Sequence, residues 1–164
     1  MTSTDDTLAR RCADAMWADD VASKNLGMSL NEVASGHAVL SMAIRDDMTN
    51  GHGIAHGGFI FALADSAFAF ACNSHNVRTV AQGCDIVFAA PARLGDLLVA
   101  EAVERHVFGR NGLYDVRVTR GGSVIAEFRG RSRTLGGPLV ETEADEQSSA
   151  GGADRGSLRE RPPT

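Results

Sequence analysis

The 164-residue chain contains little lysine, few histidines and no long apolar run that is free of charge. Lys24 is the only lysine, so Schiff-base chemistry has almost no candidate residue. The net charge of -5 argues against a nucleic-acid-binding protein, because phosphate neutralisation needs clustered Lys and Arg. The five histidines form no HxxEH motif and are otherwise scattered polar residues, so we expect no metal and no resident cofactor.

The cysteines and the apolar segments indicate the cellular compartment of the protein. Cys12, Cys72 and Cys84 form no CxxC pair, which indicates buried thiols in a reducing environment. The first residues contain no apolar core of a secretory signal, and no apolar run is long enough to cross a membrane without a charge. We therefore expect a cytoplasmic protein that does not associate with membranes.

Composition divides the chain into three parts. Residues 1–6 are expected to be disordered, and residues 7–140 to form one domain. The segment 141–164 is acidic, rich in Ser, Gly and Pro, and poor in apolar side chains, so it has little to bury. We expect it to be a disordered tail.

Periodicity and turn residues predict the elements of the domain. An amphipathic helix is expected over 7–22, and a longer one over 57–73. Alternating apolar residues between Gly-rich turns predict strands at 28–33, 38–45, 80–89, 96–107, 113–119 and 123–134. The short turns favour antiparallel meander pairing.

The segment 57–73 is the most apolar in the chain. It is too long for one strand and is dominated by Ala and Phe, which favours a helix. Such a helix, apolar almost all round, is typical of burial on most faces. The predicted fold class is therefore α+β, with one curved antiparallel sheet wrapped around a long central helix.

This helix carries a single carboxylate, Asp65. A buried carboxylate is costly unless it is hydrogen-bonded, paired or placed at an opening. One interpretation is structural: Asp65 bonds to nearby backbone, or shares a narrow polar stripe with Ser66 and Asn73. The functional interpretation is a base or nucleophile whose ionisation is adjusted by its surroundings.

The helix begins with His56, Gly57 and Gly58. Glycines there allow a ligand to approach the backbone, and first-turn amides have no intrahelical acceptor. Together with the helix dipole they form a site for an anion or a developing oxyanion. The alternative is a simple loop-to-helix junction with His56 near the cap.

The spacing of Gly57 and Asp65 has a geometric consequence. Eight residues of helix separate them by about 12 Å, too far for both to act on one carbonyl. Two antiparallel copies related by a two-fold axis would place the aspartate of one beside the amino end of the other. A catalytic interpretation therefore requires a homodimer with shared sites.

The motif around this helix resembles a known family. Asn50-Gly51, His56-Gly57-Gly58, Leu63, Asp65, Ala67 and Ala69 are similar to the hotdog-fold acyl-CoA thioesterases of the phenylacetic-acid-degradation branch. Further segments agree: FAFACNSHN (68–76), CDIVFAAPARLGD (84–96), GLYDVRV (112–118) and FRGRSRTLGG (128–137). The resemblance covers about residues 10 to 137.

The resemblance implies a reaction and roles. The substrate would be an acyl-CoA thioester, such as phenylacetyl-CoA or a ring-hydroxylated form, hydrolysed to acid and coenzyme A. The Gly57 amide would polarise the carbonyl, and Asp65 of the partner subunit would attack it or activate water. His56 would hold the carbonyl or the loop, and Asn50 would orient water or thioester. The assembly implied is a homotetramer, a dimer of dimers.

The sequence also contains candidate substrate-binding residues, and it leaves two alternative functions open. Gly58, Phe59 and Phe68 are candidate substrate-binding residues, the phenylalanines as walls for an aryl group. The alternatives are a non-catalytic acyl-CoA-binding module, and a hotdog hydratase or dehydratase that uses His56 and Asp65. An enoyl-hydration assay and a binding measurement separate them.

Overall fold

The apolar segment forms the central helix α3, Gly57–Cys72, within a computed structural model that describes residues 3–142. Two further helices precede it: α1 is Thr4–Asp19 and α2 is Val21–Asn25. A single 3-10 turn, Asp46–Met48, lies in the loop before α3. The strands are β1 Met28–Ala34, β2 His37–Ala43, β3 Thr79–Phe88, β4 Leu97–Phe108, β5 Asn111–Arg120 and β6 Ser123–Thr134.

The N-terminal helix begins earlier than predicted. Ser3 Oγ accepts a hydrogen bond from the Asp6 amide at 3.1 Å, so Ser3 caps a helix that starts at Thr4. The expectation that residues 1–6 are disordered is therefore wrong for Thr4–Asp6. The helix also stops at Asp19, because Asp20 adopts non-helical backbone angles and its side chain caps α2 through the Ser23 amide, 2.9 Å.

The expected tail, 141–164, lies outside the described residues except for its first two positions. Arg11 Nη2 donates to the backbone oxygen of Glu141 at 2.7 Å, which ties this part of the chain to α1. The assignment of the remaining tail stays a prediction.

All six strands form one antiparallel sheet in the order β1-β2-β4-β5-β6-β3. The predicted meander is right for β4, β5 and β6, but β3 pairs with β6 and not with β4. The reason is α3, which leaves the β2 side of the sheet and crosses its face. The chain therefore re-enters at the opposite edge as β3.

The sheet wraps around α3, as expected for the α+β fold. Side chains on the helix-facing side of the sheet are almost fully buried, and Phe68 at the centre of α3 is one of the largest buried residues. Its ring lies 5.4 Å from Tyr114 and 5.9 Å from Phe128. Gly130 makes room for it, since a Cβ there would lie 2.8 Å from the Phe68 ring.

The outer face of the sheet is charged. Asp115 accepts hydrogen bonds from Arg129 at 2.7 Å and from Arg105 at 2.9 Å, and these contacts lower the pKa of its carboxyl. Arg117 pairs with Glu127 at 2.8 Å. Within residues 3–142, no helix has the length and apolar character needed to cross a membrane.

Candidate active site

The start of α3 is fixed by His56. Its backbone N–H donates to the carbonyl of Met48 at 2.8 Å, and its backbone oxygen accepts from Phe59 N at 3.0 Å. Its Nδ1 atom accepts from the Gly58 amide at 3.0 Å, so His56 is the N-cap residue. Because Nδ1 is the acceptor, the neutral ring carries its proton on Nε2, which is then a donor on an exposed side chain.

The Gly57 N–H is a donor in the first turn of α3 that these contacts leave without an acceptor. Gly58 N–H is taken by His56 Nδ1 and Phe59 N–H by the His56 carbonyl, whereas Gly57 N–H has no acceptor within residues 3–142. It stands at the positive end of a sixteen-residue helix. An N–H in this position is able to donate to an anion or to a developing oxyanion.

Gly57 opens onto a groove of about 550 Å³. Phe88 at the end of β3 forms one wall, and its side chain is 49% exposed. A Cβ on Gly57 would lie 2.8 Å from Phe88 Cζ, so a side chain at this position would require the half-exposed Phe88 ring to move. The other wall comes from the loop before α3 and from the turn after β3, and the lining includes Asn50, Ile54, Ile60, Ala89, Ala90 and Pro91.

Asn50 organises the loop beside this groove. Its Oδ1 atom accepts from the His52 amide at 2.9 Å, its backbone N–H donates to Ile54 O at 2.8 Å, and its carbonyl accepts from Gly53 N at 2.9 Å. The carboxamide oxygen is thus committed to the loop. The Nδ2 group has no partner among the described residues and is the part of Asn50 able to donate into the groove.

Asp65 lies two turns further along α3 and is partly buried. Burial raises the pKa of its carboxyl above the ordinary value. Within residues 3–142 the carboxylate makes no hydrogen bond and no ion pair. Its neighbours on the expected polar stripe do have partners: Ser66 Oγ is 2.9 Å from Ser23 Oγ, and Asn73 binds both backbone groups of Thr79. The hydrogen-bonded structural interpretation of Asp65 is therefore not what the protomer shows.

The two cysteines near Asp65 are neutral thiols. Burial, with a contribution from Asp65, raises the pKa of Cys72 to about 12, and burial and Asp65 also raise the pKa of Cys84. A thiol with a raised pKa is a poor nucleophile at neutral pH. This agrees with a structural assignment for both side chains.

The three candidate substrate-binding residues differ in how accessible they are to a ligand. Phe59 is partly buried beside His56, with ring centroids 6.3 Å apart, and lies at the helix start. Gly58 is exposed, but its N–H is already bonded to His56. Phe68 is completely buried between Tyr114 and Phe128, so the structure places it in the core and away from the groove surface.

A second polar cluster was missed by the sequence reasoning. Glu104 Oε2 lies 2.6 Å from His75 Nε2 and accepts from the Tyr114 hydroxyl at 2.7 Å. The available signal was the alternation of β4, whose helix-facing positions Leu98, Ala100 and Ala102 continue to a carboxylate at 104. Among residues 3–142, no group of three or more His, Cys, Asp or Glu side chains is arranged to hold a metal ion.

Comparisons with known proteins bear on the family to which the chain belongs. The family model described as thioesterase superfamily matches residues 52–127, the segment that carries Gly57 and Asp65. The acyl-coenzyme A thioesterase PaaI of Escherichia coli is 41% identical over 129 residues, which cover 78% of this chain and 92% of that protein.

Solved structures extend the likeness to the fold. The E. coli PaaI protein from the phenylacetic acid degradation operon superposes with a TM-score of 0.80 at 40% identity, covering 81% of this chain and 97% of that one. A mutant of the phenylacetic acid degradation protein PaaI from Thermus thermophilus gives a TM-score of 0.67 at 38% identity, covering 69% of this chain and 97% of that one.

The chain belongs to the thioesterase superfamily. Within it, the chain is similar to the hotdog-fold PaaI proteins, and the predictions of this resemblance and of a hotdog fold are confirmed. The prediction of a hydrolase of the acyl-CoA thioesterase class is confirmed at the level of enzyme class.

Proposed function

We propose that this protein hydrolyses acyl-CoA thioesters, with arylacetyl groups as the preferred acyl part, to the free acid and coenzyme A. The observation that supports it most is the pair formed by a free amide donor at Gly57 and an unpartnered carboxylate at Asp65. A thioester carbonyl is electrophilic and its thiolate leaves readily. An oxyanion donor and a carboxylate are therefore sufficient machinery.

The two groups act on one carbonyl only across a dimer. They lie on the same helix eight residues apart, or about 12 Å along its axis. An antiparallel pair of helices brings Asp65 of the partner subunit next to the Gly57 amide, twice per dimer. Asp65 then attacks the carbonyl carbon or takes a proton from the attacking water, while Gly57 N–H and His56 Nε2–H donate to the carbonyl oxygen.

The edge of the sheet supports this assembly. β3 pairs with β6 on one side only, and its ten residues form one end of the sheet. An open edge of this length is a template for pairing with another chain. Val80, Val87 and Phe88 are 45%, 67% and 49% exposed on it. Pairing of β3 with its two-fold copy would cover these side chains, and pairs of dimers would form the expected tetramer.

Coenzyme A would enter along the groove beside Gly57. Of the arginines available for its phosphates, Arg129 and Arg131 are paired with carboxylates and Arg110 binds the backbone of Thr134. Arg93 is exposed and follows Ala92 in the groove lining, which makes it the arginine best placed for a phosphate.

The experiment is an assay of thiol release from a panel of acyl-CoA thioesters, including acetyl-CoA and phenylacetyl-CoA. We expect turnover with at least the arylacetyl substrates. Binding by calorimetry without thiol release would identify a non-catalytic module, and hydration of an enoyl-CoA would identify a hydratase; either result would overturn the proposal.

A further inference from the structure

Three arginines lie at the corner of the sheet where β3 begins and β6 ends. Arg133 of β6 is opposite Val80 of β3. Arg78 directly precedes β3, and its carbonyl oxygen accepts from the N–H of Leu135 at 2.7 Å. Arg110 directly precedes β5, next to the residue that pairs with Arg133. All three arginines are exposed, and together they are called the basic corner.

The charges of the basic corner are not neutralised within the protomer. Among residues 3–142, the side chains of Arg78 and Arg133 make no hydrogen bond and no ion pair. Arg110 donates from Nε and Nη2 to a backbone carbonyl at 3.2 and 2.8 Å, which fixes the side chain but leaves its charge uncompensated. By contrast, Arg129 and Arg131, the two arginines before Arg133 on β6, are paired with carboxylates.

An uncompensated group of arginines is unusual in a chain whose net charge is -5. Like charges held close together repel one another, so the basic corner is stabilised when an anion binds to it. The planar guanidinium group matches the geometry of phosphate oxygens. A coenzyme A thioester carries such groups, because its nucleotide part contains a diphosphate and a ribose phosphate.

The two-fold dimer places the basic corner of one subunit beside the groove of the other. Antiparallel pairing of β3 with its copy over all ten residues sets Thr79 opposite the partner subunit's Phe88. Strands in a sheet are about 4.8 Å apart, so the Cα atom of Arg133, one strand further away, is about 10 Å from the end of the partner's β3. Arg78 lies closer still. This end of β3 forms a wall of the groove.

We propose that the basic corner binds the phosphates of the coenzyme A whose thioester lies in the partner subunit's groove. This inference rests on the proposed thioesterase function and its two-fold dimer. The pantetheine arm leads out of the groove and leaves the phosphates at its mouth. There they lie between Arg93 of the subunit that supplies Gly57 and the basic corner of the subunit that supplies Asp65. The three arginines bind the substrate and take no part in the chemical step.

The first test compares KM for phenylacetyl-CoA and for phenylacetyl-pantetheine, which lacks the nucleotide phosphates. Arg78→Gln/Arg133→Gln should raise KM for phenylacetyl-CoA about tenfold and leave KM for the pantetheine thioester and both kcat values unchanged. Arg110 is retained because its side chain binds the backbone. Arg117→Gln is the matched control, since Arg117 is exposed on the outer face but paired with a carboxylate.

The dependence of KM on salt separates a charge contact from a structural effect. Raising the ionic strength should increase KM for phenylacetyl-CoA more steeply in the wild type than in the double variant, because salt screens exposed charges. Calorimetry with coenzyme A gives a readout without turnover, and Kd should rise about tenfold in the double variant. Equal KM, Kd and salt dependence in the two proteins, or an equal rise of KM with both thioesters, would overturn the inference.

A hybrid dimer shows which subunit supplies the arginines. It combines an Asp65→Asn chain with a Gly57→Pro/Phe88→Ala chain, in which proline removes the amide donor and alanine makes room for the proline. Its one working site uses the groove of the first chain and Asp65 of the second. Arg78→Gln/Arg133→Gln should raise KM for phenylacetyl-CoA when placed on the second chain, and leave it unchanged on the first. The opposite result would assign the basic corner to the groove of its own subunit and contradict the proposal.

Failure of the inference and failure of the proposed function give different results. A wild type that releases thiol from neither thioester overturns the proposed function, and the inference with it. A wild type that hydrolyses both thioesters, with a KM for phenylacetyl-CoA that the substitutions in the basic corner do not change, retains the function and overturns the inference alone.

Discussion

The ring of Phe88 lies directly against Gly57, so close that a Cβ on Gly57 would come within 2.8 Å of Phe88 Cζ. This contact joins the end of β3 to the start of α3, where Gly57, whose N–H has no acceptor among residues 3–142, lines the groove. It also provides a way to remove that single donor, because Gly57 is the first residue of the helix. Proline is well tolerated at this position, where its missing N–H costs no helical hydrogen bond.

The first prediction concerns the Gly57 amide. In a Phe88→Ala background, which frees the space, Gly57→Pro should reduce kcat by about 10²- to 10³-fold, the usual effect of losing one oxyanion donor. Gly57→Ala in the same background keeps the N–H and is the matched control. Similar kcat values for the two double variants, measured by thiol release, would show that the amide does not stabilise the transition state.

The second prediction concerns the carboxylate of Asp65. Asp65→Asn should lower kcat by about 10²- to 10⁴-fold, because the amide can neither attack the carbonyl nor accept a proton from water. Asp14→Asn is a suitable control, since Asp14 is an exposed carboxylate on the helix α1 and is paired with Arg10 at 3.1 Å. Loss of helical circular dichroism in Asp65→Asn would instead identify Asp65 as a structural residue.

The third prediction concerns pH. Burial raises the pKa of Asp65, so the charged form is less stable in the folded protein than in the unfolded chain. The wild type and Asp65→Asn should melt at similar temperatures below pH 3.8, the ordinary value for the group, where the carboxyl is neutral in both states. As the pH rises through the folded-state pKa, the wild type should become the less stable of the two.

The activity of the wild type should change over the same pH interval in the opposite sense. Since only the ionised carboxylate is competent, kcat/KM should rise with pH and its acid limb should lie above pH 3.8. Melting curves and pH–rate profiles measure the two effects separately. A wild type that remains the more stable protein at neutral pH would mean that Asp65 is stabilised by a partner.

The fourth prediction concerns Arg93. Arg93→Gln should raise KM several-fold for a full acyl-CoA thioester and leave KM unchanged for the corresponding pantetheine thioester, which lacks the nucleotide phosphates. Arg117→Gln, on the outer face of the sheet and paired with Glu127, is the control. An equal change in KM for both thioesters would place Arg93 elsewhere than on the phosphates.

The sequence was sufficient for the parts of the fold that depend on local pattern. The apolar run after His56 predicts α3 to within one residue of its end, and β6 is predicted with its observed bounds, because both have strong periodicity and glycine-rich boundaries. The start of α1 was missed because it depends on the Ser3 cap, whose signal is one side chain. The position of β3 was missed because strand order depends on where α3 crosses the sheet.

In the candidate site, too, the sequence predicts the local features and misses those that depend on tertiary contacts. Gly57 and Asp65 could be found from sequence because a helix start and a lone carboxylate are local features. The sequence could not show whether Phe68 lies in the core or lines a pocket. Its burial depends on Phe128 and Gly130 of β6, which are distant in sequence. Glu104 was missed for a similar reason: its partners Tyr114 and His75 come from β5 and from the segment after α3.

Complementation between two inactive chains tests the shared-site dimer most directly. Asp65→Asn chains and Gly57→Pro/Phe88→Ala chains are mixed, exchanged and assayed for thiol release. Each hybrid dimer should contain one site with an intact Gly57 from one chain and an intact Asp65 from the other, so an equal mixture should recover about a quarter of wild-type activity. Hybrids that are folded and dimeric yet no more active than their parents would contradict the dimer and the assignment of its two halves.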